Sequence, residues 1–62
     1  MRASDFLNIS KKRAQDLAES NYLIFRLVSV DDEIILGYPT DKRDDRICVE
    51  IKNEKVVQAS IQ

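Results

Sequence analysis

The sequence predicts a small α+β domain, one N-terminal helix packed on a small, mainly antiparallel sheet with an extended binding loop. Three observations carry that expectation. Apolar residues take helical spacing at Ala14, Leu17 and Ala18. They alternate at strand period from Arg46 to Lys52, with Ile47, Val49 and Ile51 on one side and Arg46, Cys48, Glu50 and Lys52 on the other. Pairs of turn-forming residues, Asp31-Asp32 and Asn53-Glu54, stand between apolar runs. A helix and a sheet that are each apolar on one side bury those sides most economically by laying the helix across one face of the sheet.

The chain has 62 residues, enough for one domain over 1–62. A domain of that size buries roughly 60% of the surface its unfolded chain exposes, so its core is thin. With 44% hydrophobic and 34% charged residues, the composition is that of a folding chain and not of a disordered one.

In chain order, Ser10 is the expected N-cap of a helix over 11–20, with Ile9 and Ala14 placed as a hydrophobic staple and Ser20-Asn21 as the stop. Lys11, Lys12 and Arg13 set three positive charges in the first turn, against the helix dipole. Without interleaved aromatics and with Asp16 and Glu19 close behind, they read as a solvated face. Phe6 and Leu7 precede the helix and either cap the edge of the core or form a partner-binding arm. The β-branched and aromatic run 22–30 reads as a strand, and Asp31-Asp32 turns it into a second short run, 33–36, as a hairpin or a bent strand. Gly37 and Tyr38-Pro39 then interrupt the sheet, since proline donates nothing to a ladder and holds the preceding residue extended. Strands over 46–52 and 55–61, joined through Asn53-Glu54, form a terminal hairpin in which Val57, Ala59 and Ile61 continue the apolar face.

The composition excludes several function classes. A net charge of -1 with dispersed Lys and Arg lacks the footprint that holds a phosphate backbone, so no nucleic-acid partner is expected. With no histidine and one cysteine, the usual zinc sets and an internal disulfide are both impossible, and no metal or cofactor is expected. Cys48 lacks a histidine to activate it and sits mid-strand, where a thiol is a small packing group. Neither Asp31-Asp32 nor Asp44-Asp45 has the alternating oxygen ligands of a calcium loop. An enzyme is therefore not expected. No segment approaches the roughly 20 apolar residues of a membrane span, and the first residues lack the apolar run of a secretory signal. The expected location is cytoplasmic as written, or secreted if a signal has been removed.

What remains is Tyr38-Pro-Thr-Asp-Lys-Arg-Asp-Asp-Arg-Ile47, a proline-stiffened stretch that meets a dense mixture of charges just before the best strand. Arg46, at the start of that strand, can donate back to the Asp41 carboxylate or to loop carbonyls, and such charge-assisted bonds contribute about 1.5 to 3 kcal/mol where they are shielded from water. A loop held extended before binding avoids an ordering cost of roughly 0.5 to 1.5 kcal/mol per immobilised side chain.

These residues resemble the potato inhibitor I type of serine protease inhibitor, and more closely the bacterial and fungal relatives grouped with a fungal elastase inhibitor. The resemblance runs over most of the chain: Ala14 and Leu17 fit the family helix, Phe25-Arg-Leu-Val-Ser29 its first strand, and Val49, Ile51, Val57 and Ile61 its closing hairpin. Asp41 matches the acidic position after the scissile bond, Arg43 the following loop arginine, and Asp45-Arg46-Ile47 the Asp-Arg-apolar signature. The resemblance implies an inhibitory loop of Pro39, Thr40, Asp41, Lys42 and Arg43, supported by Asp45 and Arg46, with Thr40 entering the primary pocket of a protease. A β-branched residue there suits a small pocket of subtilisin or elastase character. Departures from the family pattern fall inside the loop, where Pro39 replaces a threonine, Lys42 an aromatic and Asp44 a proline. The family's second supporting arginine is Cys48, its C-terminal glycine is Gln62, and its hairpin glycine is missing around Asn53-Glu54. The expected function is a serine protease inhibitor-like binding module that presents loop 38–46, as a monomer or weak dimer. The alternative is a non-inhibitory interaction or regulatory module, a dimer among its forms, that keeps the fold and uses a strand edge or the Phe6-Leu7 arm.

Overall fold

The computed structural model describes residues 2–62. A 3-10 turn, Ala3–Phe6, leads into helix α1, Lys11–Ser20, and four strands follow: β1, Ile24–Val30; β2, Glu33–Ile34; β3, Arg46–Lys52; and β4, Lys55–Ile61. The strands form one mixed sheet in the order β2-β1-β3-β4. The outer pairings, β1 with β2 and β3 with β4, are antiparallel, and the central one, β1 with β3, is parallel. This is the small α+β fold with a mainly antiparallel sheet. The parallel centre explains the long connection between β2 and β3: after a parallel strand the chain must travel back along the sheet before it can pair again.

Helix α1 begins where the cap residue places it. The Ser10 Oγ accepts the Arg13 amide at 3.2 Å, which satisfies one of the free first-turn donors. Ala14 and Ala18 face the sheet and are fully buried. The helix closes with the paired bonds of a Schellman turn, Leu23 N to Ala18 O at 2.8 Å and Tyr22 N to Glu19 O at 3.1 Å. That closure puts Tyr22 in the left-handed region at φ 58°. It also consumes the two residues expected to start the first strand, so β1 begins at Ile24 and not at 22.

Both two-residue turns have two successive left-handed residues, Asp31 and Asp32 at φ 50° and 70°, and Asn53 and Glu54 at φ 52° and 66°. This is the backbone twist that joins antiparallel strands through two residues. The β1–β2 connection is therefore a hairpin and not a bent strand. The two turns are tied together, because the Asp31 Oδ1 accepts the Asn53 amide at 2.9 Å. The second strand is shorter than the expected 33–36. Past Ile34 the strand pairing ends, and the amides of Ile35 and Gly37 both donate to the Val28 carbonyl, at 2.9 and 3.2 Å.

The core lies between α1 and one face of the sheet and contains Phe6, Ala14, Ala18, Ile47, Val49, Ile51 and Val56. The strand β4 departs from its expected facing at one residue, and the two alternatives left open for Phe6 resolve to one. Val57 does not continue the apolar face: the β3–β4 register shifts between Glu50/Gln58 and Ile51/Val56, leaving Val57 as an extra, half-exposed residue and turning Val56 inward. Phe6 is fully buried, so the segment before the helix is part of the core and not a projecting arm. That segment also closes part of the β4 edge, with Asn8 N to Val56 O and Val56 N to Ile9 O, each at 2.8 Å.

Candidate functional site

The second face of the sheet carries the loop. The β1–β3 register sets Arg26 opposite Cys48, with Arg46 and Glu50 two positions to either side of Cys48 on the same face. β1 also gains an extra residue at Val28 between its Leu27/Val49 and Ser29/Glu50 pairings. Arg46, Cys48, Val28 and Ser29 are all buried, although none belongs to the helix-side core. This side of β3 thus forms a covered layer beneath the loop, with Arg46 and Cys48 buried and Glu50 half-buried.

Arg46 is the centre of that layer. Its Nε donates to the Gln62 carbonyl at 2.9 Å, and its Nη2 donates to both the carbonyl and the Oδ1 of Asp41, each at 3.2 Å. One buried guanidinium therefore joins the end of β4 to the loop. The Arg46 bond and charge hold the Asp41 carboxyl below the usual carboxylate range. Cys48 is buried beside the same anchor point, its Sγ 3.9 Å from the Gln62 carbonyl.

The loop tip is fastened to itself. Arg43 forms a two-pronged pair with Asp45, Nε to Oδ1 at 2.7 Å and Nη2 to Oδ2 at 2.8 Å. Planar guanidinium and carboxylate groups match in this way, which fixes both side chains. The pairing lowers the pKa of Asp45 and raises that of Arg43. Thr40, Asp41, Lys42, Arg43 and Asp44 are exposed, and Pro39 and Asp45 are half-buried. The structure gathers these residues at one end of the sheet, above the N-terminal end of β3.

Sequence reasoning missed the residues that hold the upstream part of the loop. Arg26 donates to the Gly37 carbonyl at 2.9 Å and to the Leu36 carbonyl at 3.1 Å. The Tyr38 hydroxyl donates to the Glu50 Oε2, and Ser29 donates to the Oε1 at 3.3 Å. Burial and the Glu50 carboxylate push the Tyr38 phenol up to about 12. The available signal was that Arg26 and Glu50 occupy outward positions on strands flanking a tyrosine-bearing loop. It becomes readable only once β1 and β3 are known to be parallel neighbours.

Among the described residues no group of three or more His, Cys, Asp or Glu side chains gathers to hold a metal ion. No helix among them is long and apolar enough to cross a membrane. A shallow groove lined by Lys42, Arg43, Asp44, Ser60, Ile61 and Gln62 separates the loop tip from the C-terminal strand. The surface is thus a projecting, polar, internally tied loop rather than a cleft. A scan against family models, a search of curated proteins and a search of solved structures each return no match.

Proposed function

We propose that the protein is a binding module without catalytic activity of its own, which presents loop 38–46 to a serine protease of subtilisin or elastase character in the manner of a substrate that is released slowly. One observation supports this reading above the others: the buried Arg46 guanidinium ties Asp41, the residue following the candidate scissile bond, to the body of the domain at Gln62. A segment cut at Thr40–Asp41 and still anchored stays in place for the reverse reaction, whereas a free one diffuses away. Thr40 itself is exposed at the tip, free to enter a small pocket.

The test is a titration against subtilisin-like, elastase-like and trypsin-like proteases, with Arg46→Ala beside the parent. The parent inhibits one of the first two classes, while Arg46→Ala keeps its fold and is cut after Thr40. Absence of inhibition in every class at micromolar protein, or equal inhibition by both proteins, overturns the reading.

A second reading is favoured by a different observation. Ile34, Ile35 and Leu36 are consecutive and exposed, at 75%, 48% and 60%. Such a stretch beside a short edge strand suits a non-inhibitory interaction module, including one that pairs with itself. A solution mass of twice the monomer that reverts on Ile34→Lys supports that alternative.

A further inference from the structure

We propose that Glu50 and Arg26 form a second anchor, independent of Arg46, that fixes the upstream limb of the loop from Leu36 to Tyr38, so that the chain on each side of Thr40–Asp41 is fastened separately to the sheet. The inference deepens the protease-inhibitor reading and rests on it for its functional consequence, but its geometry stands alone. The two anchors share no side chain. Upstream, Arg26 on β1 holds the Leu36 and Gly37 carbonyls, and Glu50 on β3, steadied by Ser29, accepts the Tyr38 hydroxyl. Downstream, Arg46 holds Asp41 and the Gln62 carbonyl.

The separation matters for the chemistry of a slow substrate. When the Thr40–Asp41 amide is attacked, the Thr40 acyl carbon passes to the protease serine and the Asp41 nitrogen leaves as an amine. Resealing needs that amine to attack the same acyl carbon, so both ends must keep their positions. Arg46 can restrain only the amine side. The acyl side depends on what holds Tyr38, two residues before Thr40 and joined to it through Pro39, whose fixed φ transmits the restraint. Glu50 and Arg26 are thus positioning residues that act through Tyr38 and the adjoining carbonyls.

Amide hydrogen exchange and 15N order parameters of the whole chain test this without any protease, so a failure of inhibition leaves the result readable. Tyr38→Phe removes only a hydroxyl from a half-exposed ring and therefore leaves the fold in place. It and Glu50→Ala should each speed exchange at Gly37 by about threefold to tenfold and lower the order parameters of Leu36 to Tyr38, with Asp41 and Lys42 unchanged. Glu50→Gln keeps an acceptor for the hydroxyl and should return Gly37 to within about twofold of the parent. Joining Tyr38→Phe to Glu50→Ala should add nothing to either alone. Arg46→Ala should show the opposite pattern, loosening Asp41 and Lys42 and sparing Gly37. Gly37 exchange within twofold of the parent in both single variants overturns the proposal. So does an increase shared equally by the Val49 and Ile51 amides, or loosening of the upstream limb by Arg46→Ala.

Discussion

At the scale of single residues, backbone conformation and charge placement make separate predictions. Glu54 and Tyr22 hold left-handed φ values of 66° and 58°, where a side chain is strained and glycine is not. Tyr22 is 93% exposed, so its replacement sacrifices little packing. Glu54→Gly and Tyr22→Gly should each stabilise the domain by about 0.5 to 1 kcal/mol, read as a rise in thermal midpoint of about 2 to 8 °C. A lower midpoint for either variant contradicts the strain argument. The loop carboxylates set the response to acid. Asp41 and Asp45 have folded pKa values below the ordinary 3.8, so their contribution to loop order is complete above that value and is lost as pH falls through the lowered ones. A carboxyl-carbon NMR titration should find both midpoints below 3.8, and Arg46→Ala should move Asp41 toward the ordinary range far more than Asp45, whose main partner is Arg43. An Asp41 midpoint that Arg46→Ala leaves unmoved rules out the anchor as its cause.

At the scale of elements, the two added residues in the strands decide which side chains reach the core. Val56 and Val57 are neighbours of the same type, one fully buried and the other half-exposed. Val56→Ala removes buried methyl groups and leaves a void, and should cost about 2 kcal/mol, whereas Val57→Ala should cost less than about 0.5 kcal/mol. Urea unfolding of the pair distinguishes this register from the uninterrupted alternation in which Val57 is the core residue. The same bulge marks the limit of what the sequence discloses. The helix over 11–20 was legible because cap, apolar stripe and stop agree, and β3 because its alternation is unbroken. β4 was legible in extent, and in facing at Ala59 and Ile61 but not at Val57, since one added residue with no glycine to mark it reverses the side chains on one side of the insertion. The parallel pairing of β1 with β3 was not legible either, because each strand's own residues suit either direction. The Arg46–Asp41 contact could be anticipated because it links residues close along the chain. The contacts of Arg26 and Glu50 could not, because they depend on that pairing.

At the scale of the whole molecule, a chain of 62 residues has a net stability of roughly 3 to 9 kcal/mol, at about 0.05 to 0.15 kcal/mol per residue. Phe6 is one of the largest fully buried side chains, and the 3-10 turn that bears it packs on β4. Removing a buried phenylalanine ring costs about 3 to 5 kcal/mol, a large part of that total. Phe6→Ala should therefore lower the urea midpoint by about a third or more, and at the lower end of the stability range it leaves the domain largely unfolded in buffer. Leu7, its neighbour in sequence, is 38% exposed, and Leu7→Ala should shift the midpoint only slightly. The contrast tests the place of the N-terminal segment: a partner-binding arm would tolerate both substitutions without loss of stability. It also ties stability to the loop. Phe6 supports β4, β4 leads into the Gln62 carbonyl that receives Arg46, and Arg46 holds Asp41. In protein that is still folded, Phe6→Ala should thus raise hydrogen exchange across β3 and β4 together with that of the downstream loop. Exchange that rises in the strands while the Arg46-held limb stays protected would show that the anchor survives without the core beneath it.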